Sequence, residues 1–341
     1  MMIIRSKAPL RLGLAGGGSD VSPYSDLFGG AILNATINKF AYATLIPHTD
    51  GKIILNSVDR KKLVSLNSTK TLKLDGTLDL VKGIYNRIVK DFTHSSLSFE
   101  LITHVDAPPG SGLGSSSTLV IAILGAFSEW LKLPLGEYDL ANLAYQIERI
   151  DLEMAGGKQD QYAATFGGVN FMEFYKDEKV IVNPLRIKEQ VTDELAYKMV
   201  LFNTESSRFS STIINEQVKN VKEQKKSSVE AMHNIKKLAV LMKEALLKNE
   251  LDKIGEILHS SWRYKREMAE NITNPALESI YERTLKAGAT GGKISGAGGG
   301  GYMFFYCPGN TRHKVIEVLN KNGGQVQEYE FTKTGLKTWG V

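Results

Sequence analysis

Cysteine is almost absent from this chain. Cys307 is the only one in 341 residues, which excludes an internal disulfide framework and any multi-cysteine metal site. Such usage fits a reducing cytosol. The six histidines show no HExxH or other metal-ligating spacing. Long hydrophobic runs are missing too. Spanning a bilayer takes roughly 18 apolar residues, and the longest candidate, Leu119 to Phe127, is about half that. The start, MMIIRSKAPLRLG, has no apolar core followed by a cleavage site, so a cytoplasmic protein without membrane contact is expected. Charge of one sign is also lacking. Lys plus Arg is 42 and Asp plus Glu is 37, giving +5 with no long basic run, so nucleic acid is not an expected partner.

Glycine is abundant instead, with 32 residues in three clusters: Gly13 to Gly30, Gly110 to Gly114 and Gly288 to Gly301. They are embedded between periodic apolar segments rather than in linkers. Glycine is required where φ is positive or where a ligand approaches the main chain. The length predicts two domains. Ile3 to Ser6, Lys39 to Pro47, Lys52 to Ser57, Leu97 to His104 and Gly167 to Phe174 read as strands, with helices over Ser115 to Leu131 and Tyr138 to Ala155. Further on, helices are expected over Ser211 to Asn249 (broken near Lys225 to Ser228), Leu251 to Ala269, Pro275 to Ala287 and Arg312 to Asn320, with strands over Tyr302 to Tyr306 and Gln325 to Phe331. The Lys-rich first of these helices reads as a solvated face. Asn183-Pro184 interrupts the pattern, so the expected division is 1–185 and 186–341, a mixed α/β (α+β) organisation. No internal repeat or low-complexity tract is visible.

Residues 108–118, PPGSGLGSSST, follow a strand-like segment and open a helix. A helix N-terminus offers unpaired N–H groups and partial positive charge, and glycines before it let those groups curl around an anion. Phosphate binding is one reading; a Gly/Ser turn with a serine N-cap is the other. The segment is not a Walker A loop, since GxxxxGK[ST] is absent. Gly296 to Gly301 matches GxGxxG, but the strand YMFFY follows where a dinucleotide fold needs a helix, so NAD binding is rejected. A flexible turn or a backbone wall beside a ligand remains.

Together the three clusters resemble the GHMP kinase superfamily, which includes galactokinase, homoserine kinase and mevalonate kinase. The resemblance rests on APLRLGLAGGGSD (Ala8 to Asp20), PPGSGLGSSS (Pro108 to Ser117) and KISGAGGGGYMF (Lys293 to Phe304), and it spans Lys7 to about Phe305. It implies an ATP- and Mg²⁺-dependent phosphotransferase with a ribosomal protein S5 domain 2-like N-terminal (ATP-binding) domain, a ferredoxin-like C-terminal domain and an active site between them. LAGGGSDVSPY with GGAILNATI, GGKQDQYAATFGGVNFMEF and SSRFSSTIINEQ look like the D-glycero-D-manno-heptose 7-phosphate kinases of that superfamily. L-Fucokinase-type domains are the nearest alternative. Gly17 and Gly18 stand where galactokinases carry an acidic residue and a histidine, which departs from a galactose contact set.

The resemblance assigns roles residue by residue. Asp160 matches the catalytic aspartate that accepts or orients the sugar hydroxyl proton, against the plain reading of a turn or N-cap residue. Arg11, nine residues before Asp20, matches the active-site arginine. Glu148 and Ser116 match the Mg²⁺ ligands, with Ser115 the alternative serine. Pro109, Gly110, Ser111, Gly112, Leu113, Gly114, Ser115, Ser116 and Ser117 form the expected ATP loop. Gly16, Gly17, Gly18, Ser19 and Asp20 are expected at the sugar, with Asp20 accepting from its hydroxyls or capping a helix at Val21. Gly298, Gly299 and Gly300 are expected as the wall. A sugar already bearing a phosphate needs a second anion site, for which Lys158 and Arg208 are candidates, Arg by its planar fork. The expected partners are ATP and a sugar phosphate, with homodimer formation left open. The expected reaction is transfer to the anomeric C1 hydroxyl of heptose 7-phosphate, giving the 1,7-bisphosphate. The alternatives are another sugar 1-kinase (for fucose, galactose or an N-acetylhexosamine), a non-enzymatic sugar/ATP sensor, and a nucleic-acid binder on the S5-like domain, which the missing basic stripe disfavours.

Overall fold

The computed structural model describes residues 2–206 and 210–341. Strands β1 (Ile4–Ala15), β2 (Gly30–Pro47), β3 (Lys52–Ser57), β4 (Lys62–Asn67), β5 (Phe99–Val105), β6 (Val169–Phe174) and β7 (Val180–Pro184) belong to the first of two sheets. Strands β8 (Met199–Asn203), β9 (Gly291–Ile294), β10 (Tyr302–Tyr306) and β11 (Gln325–Gln327) form the second, in the order β11-β8-β10-β9, antiparallel throughout. The last strand, β12 (Lys337–Gly340), returns to the first sheet and pairs with β1. The expected boundary at 185 therefore falls after β7, while the end of the 186–341 segment lies on the first sheet.

The helices are α1 (Tyr24–Phe28), α2 (Asp79–Ile88), α3 (Ser115–Leu131), α4 (Glu137–Gln146), α5 (Gln159–Phe166), α6 (Glu189–Lys198), α7 (Ser210–Lys222), α8 (Lys226–Leu247), α9 (Asp252–Met268), α10 (Pro275–Lys286) and α11 (Arg312–Asn320). The apolar run Leu119 to Phe127 explains itself in α3. Every residue of it is buried, because the helix packs against β1 and β2 on one side and α2, α4 and α5 on others. A helix apolar all round has no solvent face. Among the described residues no helix is long and apolar enough to cross a membrane.

β2 organises the first sheet. Its first half, Gly30 to Ala35, pairs with β6, and its second half, Ala41 to Pro47, pairs with β5. β1 runs along both halves, with a register irregularity between Pro9 and Arg11. That irregularity lies where the Arg11 N–H leaves the ladder and donates to Leu113 O at 3.1 Å. Bulges of this kind re-aim a side chain. Arg11 and Gly13 of β1 consequently reach the cleft between the sheets. The expected helix over Tyr138 to Ala155 instead becomes α4 followed by one π-helical turn, Ile147–Asp151, and then a loop. The wider turn is common at functional sites, and here it carries Glu148.

Candidate active site

The phosphate loop is a backbone device. Gly110, Gly112 and Gly114 have φ of 77°, 78° and 79°. At Gly112 the choice is forced, since a Cβ would stand 2.3 Å from Ser295 O. Gly114 is the N-cap of α3 and supplies no side-chain cap. The serine-capped turn is thus replaced by a glycine cap, and the N–H groups of the first turn lack side-chain acceptors. The 17-residue helix directs its positive end into the cleft. Gly110, Gly112, Gly114 and Ser115 to Ser117 line it. Three of the expected loop residues do not. Pro109 is exposed, Leu113 is in the core, and Ser111 is buried with its Oγ accepting from Leu113 N. Their work is to hold the loop: Tyr302 N donates to Ser111 O and Arg11 N to Leu113 O.

Arg11 and Asp160 meet in this cleft, a cavity of about 200 Å³. Arg11 Nε donates to Asp160 Oδ1 at 2.7 Å and its Nη2 lies 2.6 Å from the same oxygen. Its Nη1 donates to Gly112 O at 2.5 Å and faces Ser295 Oγ at 3.4 Å. One buried guanidinium therefore joins β1, the phosphate loop, α5 and the third glycine cluster. Asp160 stands in the first turn of α5. Its Oδ2 has no hydrogen-bond partner among the described residues and lies 3.3 Å from where a Cβ on Gly114 would be. The structure thus sets a carboxylate oxygen beside the N-terminus of α3, where a proton acceptor could meet a group held at that end of the helix.

Glu148 is fully buried in the π-helical turn. Its Oε2 accepts from Gln161 Nε2 at 2.5 Å, and Gln161 Nε2 also lies 3.2 Å from Ser117 Oγ. Its Oε1 has no hydrogen-bond partner; Arg149 Nη1 is 3.7 Å away. An orphaned buried carboxylate oxygen costs free energy unless something pairs with it. Glu148 lines the cleft together with Ser116, and hard oxygen donors of this kind suit Mg²⁺. No group of three His, Cys, Asp or Glu among the described residues forms a metal set. Mg²⁺ usually relies on one or two carboxylates plus substrate phosphates, so the residues present fit it.

On the acceptor side, Asp20 does not cap a helix at Val21. Its Oδ2 accepts from the N–H groups of Lys158 and Gln159 at 2.9 and 3.1 Å, so it caps α5 from a distant segment. Burial first, and the charge of Asp160 second, push its carboxyl above the usual range, while backbone N–H donors work against them. Gly157 is required beside it, since a Cβ there would stand 1.9 Å from Asp20 Oδ2. Gly17, Gly18 and Asp20 line the cleft; Gly16 packs under Ala31, and the buried Ser19 donates to Gly16 O. Gly298 and Gly300 line it as expected for a wall, whereas Gly299 N donates to Ile272 O on the far side.

Lys158 is not brought to the cleft. It is the N-cap of α5, so its side chain leaves in the opposite direction. Its ammonium is buried against Asp26 Oδ1 at 3.3 Å and over the Tyr145 ring. Arg208 lies outside the described residues. Among the cleft residues without a sequence expectation, four bring polar or charged side chains from separate elements. Arg149 reaches Gly157 O; Gln217 comes from α7; Lys265 of α9 and Lys293 of β9 bring two buried ammonium groups. Lys293 stands inside the third glycine motif, which was its available signal. Lys265 and Gln217 sit on ordinary amphipathic helices and had none. Burial depresses both ammonium groups, with Arg11 adding to it: Lys265 falls to about 8, and Lys293 lies well below the usual lysine range.

Residues 79–168 match the GHMP kinases N terminal domain and residues 242–325 match the GHMP kinases C terminal region. The chain is 51% identical over 341 residues to D-glycero-alpha-D-manno-heptose 7-phosphate kinase of Campylobacter jejuni, covering 100% of both. A crystal structure of a D-glycero-D-manno-heptose 1-phosphate kinase from Bacteroides thetaiotaomicron superposes with TM-score 0.85 at 44% identity, covering 98% of each chain. Galactokinase of Lactococcus lactis, complexed with galactose, shares the fold at 20% identity and TM-score 0.76, over 98% of this chain and 95% of its own. With its three glycine motifs gathered around one cleft, this chain belongs to the GHMP kinase family of ATP-dependent phosphotransferases.

Proposed function

We propose that this sugar kinase transfers the γ-phosphoryl group of ATP to the C1 hydroxyl of D-glycero-D-manno-heptose 7-phosphate, yielding the 1,7-bisphosphate and ADP. The observation that carries the reading is the Arg11–Asp160 pair beside the N-terminus of α3. Asp160 Oδ2 takes or orients the C1 hydroxyl proton, and Arg11 positions the carboxylate and offsets charge on the transferring group. The N–H groups after Gly114 and the hydroxyls of Ser115 to Ser117 cradle the triphosphate. Glu148 and Ser116 would hold Mg²⁺, which when bound neutralises the phosphate oxygens. Residues 1–185 would supply this donor side and residues 186–341 most of the opposing wall.

The names of the relatives differ on where the sugar carries phosphate, one specifying position 7 and the other position 1. An ADP-release assay over heptose 7-phosphate, free heptose, mannose, galactose and fucose tests the acceptor. Charge-assisted contacts to phosphate contribute about 1.5–3 kcal/mol each, so heptose 7-phosphate should lead in kcat/KM by tens to hundreds of fold. Phosphorus–carbon couplings in the product should place the new phosphate on C1. Equal rates with and without the 7-phosphate, or a product phosphorylated elsewhere, would overturn the reading. A sugar 1-kinase for unphosphorylated acceptors is the second reading, and the engagement of Lys158 by Asp26 favours it.

A further inference from the structure

Four lysines are buried among the described residues: Lys82, Lys158, Lys265 and Lys293. Lys82 pairs with Asp75 and Asp79, and Lys158 with Asp26. Lys293 donates to Gly13 O at 2.8 Å and faces Leu14 O at 3.5 Å, tying β9 to β1. Lys265 differs from all three. Its one hydrogen-bond partner among the described residues is Gly296 O at 2.6 Å, and the remaining donors of its ammonium have none. It lines the cleft and has no contact ion pair among the described residues, and a buried cation in that state is costly. An anion entering the cleft would remove that cost.

The side of the cleft it serves follows from its neighbours. Met268 lies three residues further along α9, on the same face. Its Cε is 2.4 Å from where a Cβ on Gly18 would stand, and Gln217 Oε1 is 3.6 Å from the same point. This face of α9 therefore meets the first glycine cluster and α7, while Gly296, which accepts from Lys265, packs against Gly112 of the phosphate loop. The Arg11 guanidinium, itself bound to Asp160 and Gly112 O, acts on Lys265 by its charge, and so does the Asp20 carboxylate, the one acidic group that does.

We propose that Lys265 receives the phosphate the acceptor sugar already carries, so that the second anion site lies on α9 rather than at Lys158. The proposal rests on the phosphorylated-sugar reading above. The ammonium keeps its bond to Gly296 O and turns its remaining N–H groups to the incoming phosphate oxygens, while Gly17 and Gly18 leave room for the sugar. A phosphate at this point has two sources, the acceptor or the γ-phosphoryl group of ATP, and the experiment separates them.

Binding of heptose 7-phosphate and of free heptose is measured calorimetrically without nucleotide, for the wild type, Lys265→Met and Lys265→Arg. ATP affinity is measured on the same samples as a control for folding and for the donor site. The wild type should bind the phosphorylated sugar at least tenfold more tightly. In Lys265→Met that ratio should fall below about threefold, with free heptose and ATP bound as before, and Lys265→Arg should retain part of it. An unchanged ratio in Lys265→Met overturns the proposal alone. Lowered ATP affinity with an unchanged ratio assigns Lys265 to the donor phosphate and also overturns it. A wild type that binds both sugars alike overturns the substrate reading and this proposal together.

Discussion

Gly110 to Ser117 is one continuous segment that offers the cleft main-chain N–H groups, left-handed glycines and the end of a helix, the features proposed to bind the triphosphate. The opposite wall is drawn from Gly17, Gly18, Asp20, Gly156, Gly157, Gln159, α7, α9, Gly296, Gly298 and Gly300, and it presents side chains: Asp20, Gln159, Gln217 and Lys265. The contrast follows from the ligands. A triphosphate is the same in every member of a kinase family, and backbone dipoles suffice for it. An acceptor varies, and side chains from distant segments can be exchanged one at a time without disturbing the loop that holds the donor.

The two walls should respond differently to substitution. The largest expected effect is at their junction. Asp160→Asn should lower kcat by at least about 100-fold, the scale of a positioned acid–base group, while ATP affinity measured by equilibrium binding stays within about twofold. Near-normal turnover in the folded variant would leave Asp160 with no role in the proton transfer. Next comes Lys265→Met, expected to stabilise the unliganded protein. The folded-state lysine titrates near 8 against about 10.5 when unfolded, so burial disfavours the protonated form. The cost is complete below pH 8, of the order of 3 kcal/mol, and fades as pH rises toward 10.5. The variant should therefore melt higher than wild type at pH 7, with the gain shrinking at pH 10 in thermal scans; a gain that grows with pH would contradict the burial argument. The smallest effect belongs to the proposed metal ligands. Ser116→Ala and Glu148→Gln should each raise the Mg²⁺ concentration for half-maximal rate several-fold, and the double variant less than the two combined, because they would share one ion. An unmoved Mg²⁺ dependence in both would place the ion elsewhere.

Much of the donor wall was legible because it is contiguous. The order strand, glycine loop, serine, apolar run appears in Leu97 to Leu131 and is the order in space. Arg11 and Asp160, 149 residues apart, were paired only through resemblance to a family; nothing in their spacing shows that one guanidinium bridges them. β1 was legible only to Ser6, since Pro9 and Gly13 mask a strand that tertiary pairing with β2 sustains. β4, β7, β8, β9 and β12 were missed although β3 and β10 of similar length were read, and α1, α2 and α6 were missed as well. Lys158 was misplaced for a simpler reason. Proximity in sequence to Asp160 says nothing about direction, and at an N-cap two residues ahead the side chain points away from the cleft. Lys265 was invisible because a lysine on an amphipathic helix ordinarily faces water.

The return of β12 to β1 fastens the second half of the chain to the first sheet at its far end. The chain passes between the sheets twice, once after β7 and once before β12, where Ile37 also bridges Phe331. Chain crossings are not the only ties, since α8 packs on β1 and β2, one hydrophobic core holds Leu12 and Leu33 together with Met242 and Leu258, and Lys293 donates to Gly13 O. The cleft is thus walled by two sheets fastened by chain at both ends and by a common core. Severing the chain in the 328–336 segment would remove one of those fastenings without removing a single residue from the cleft.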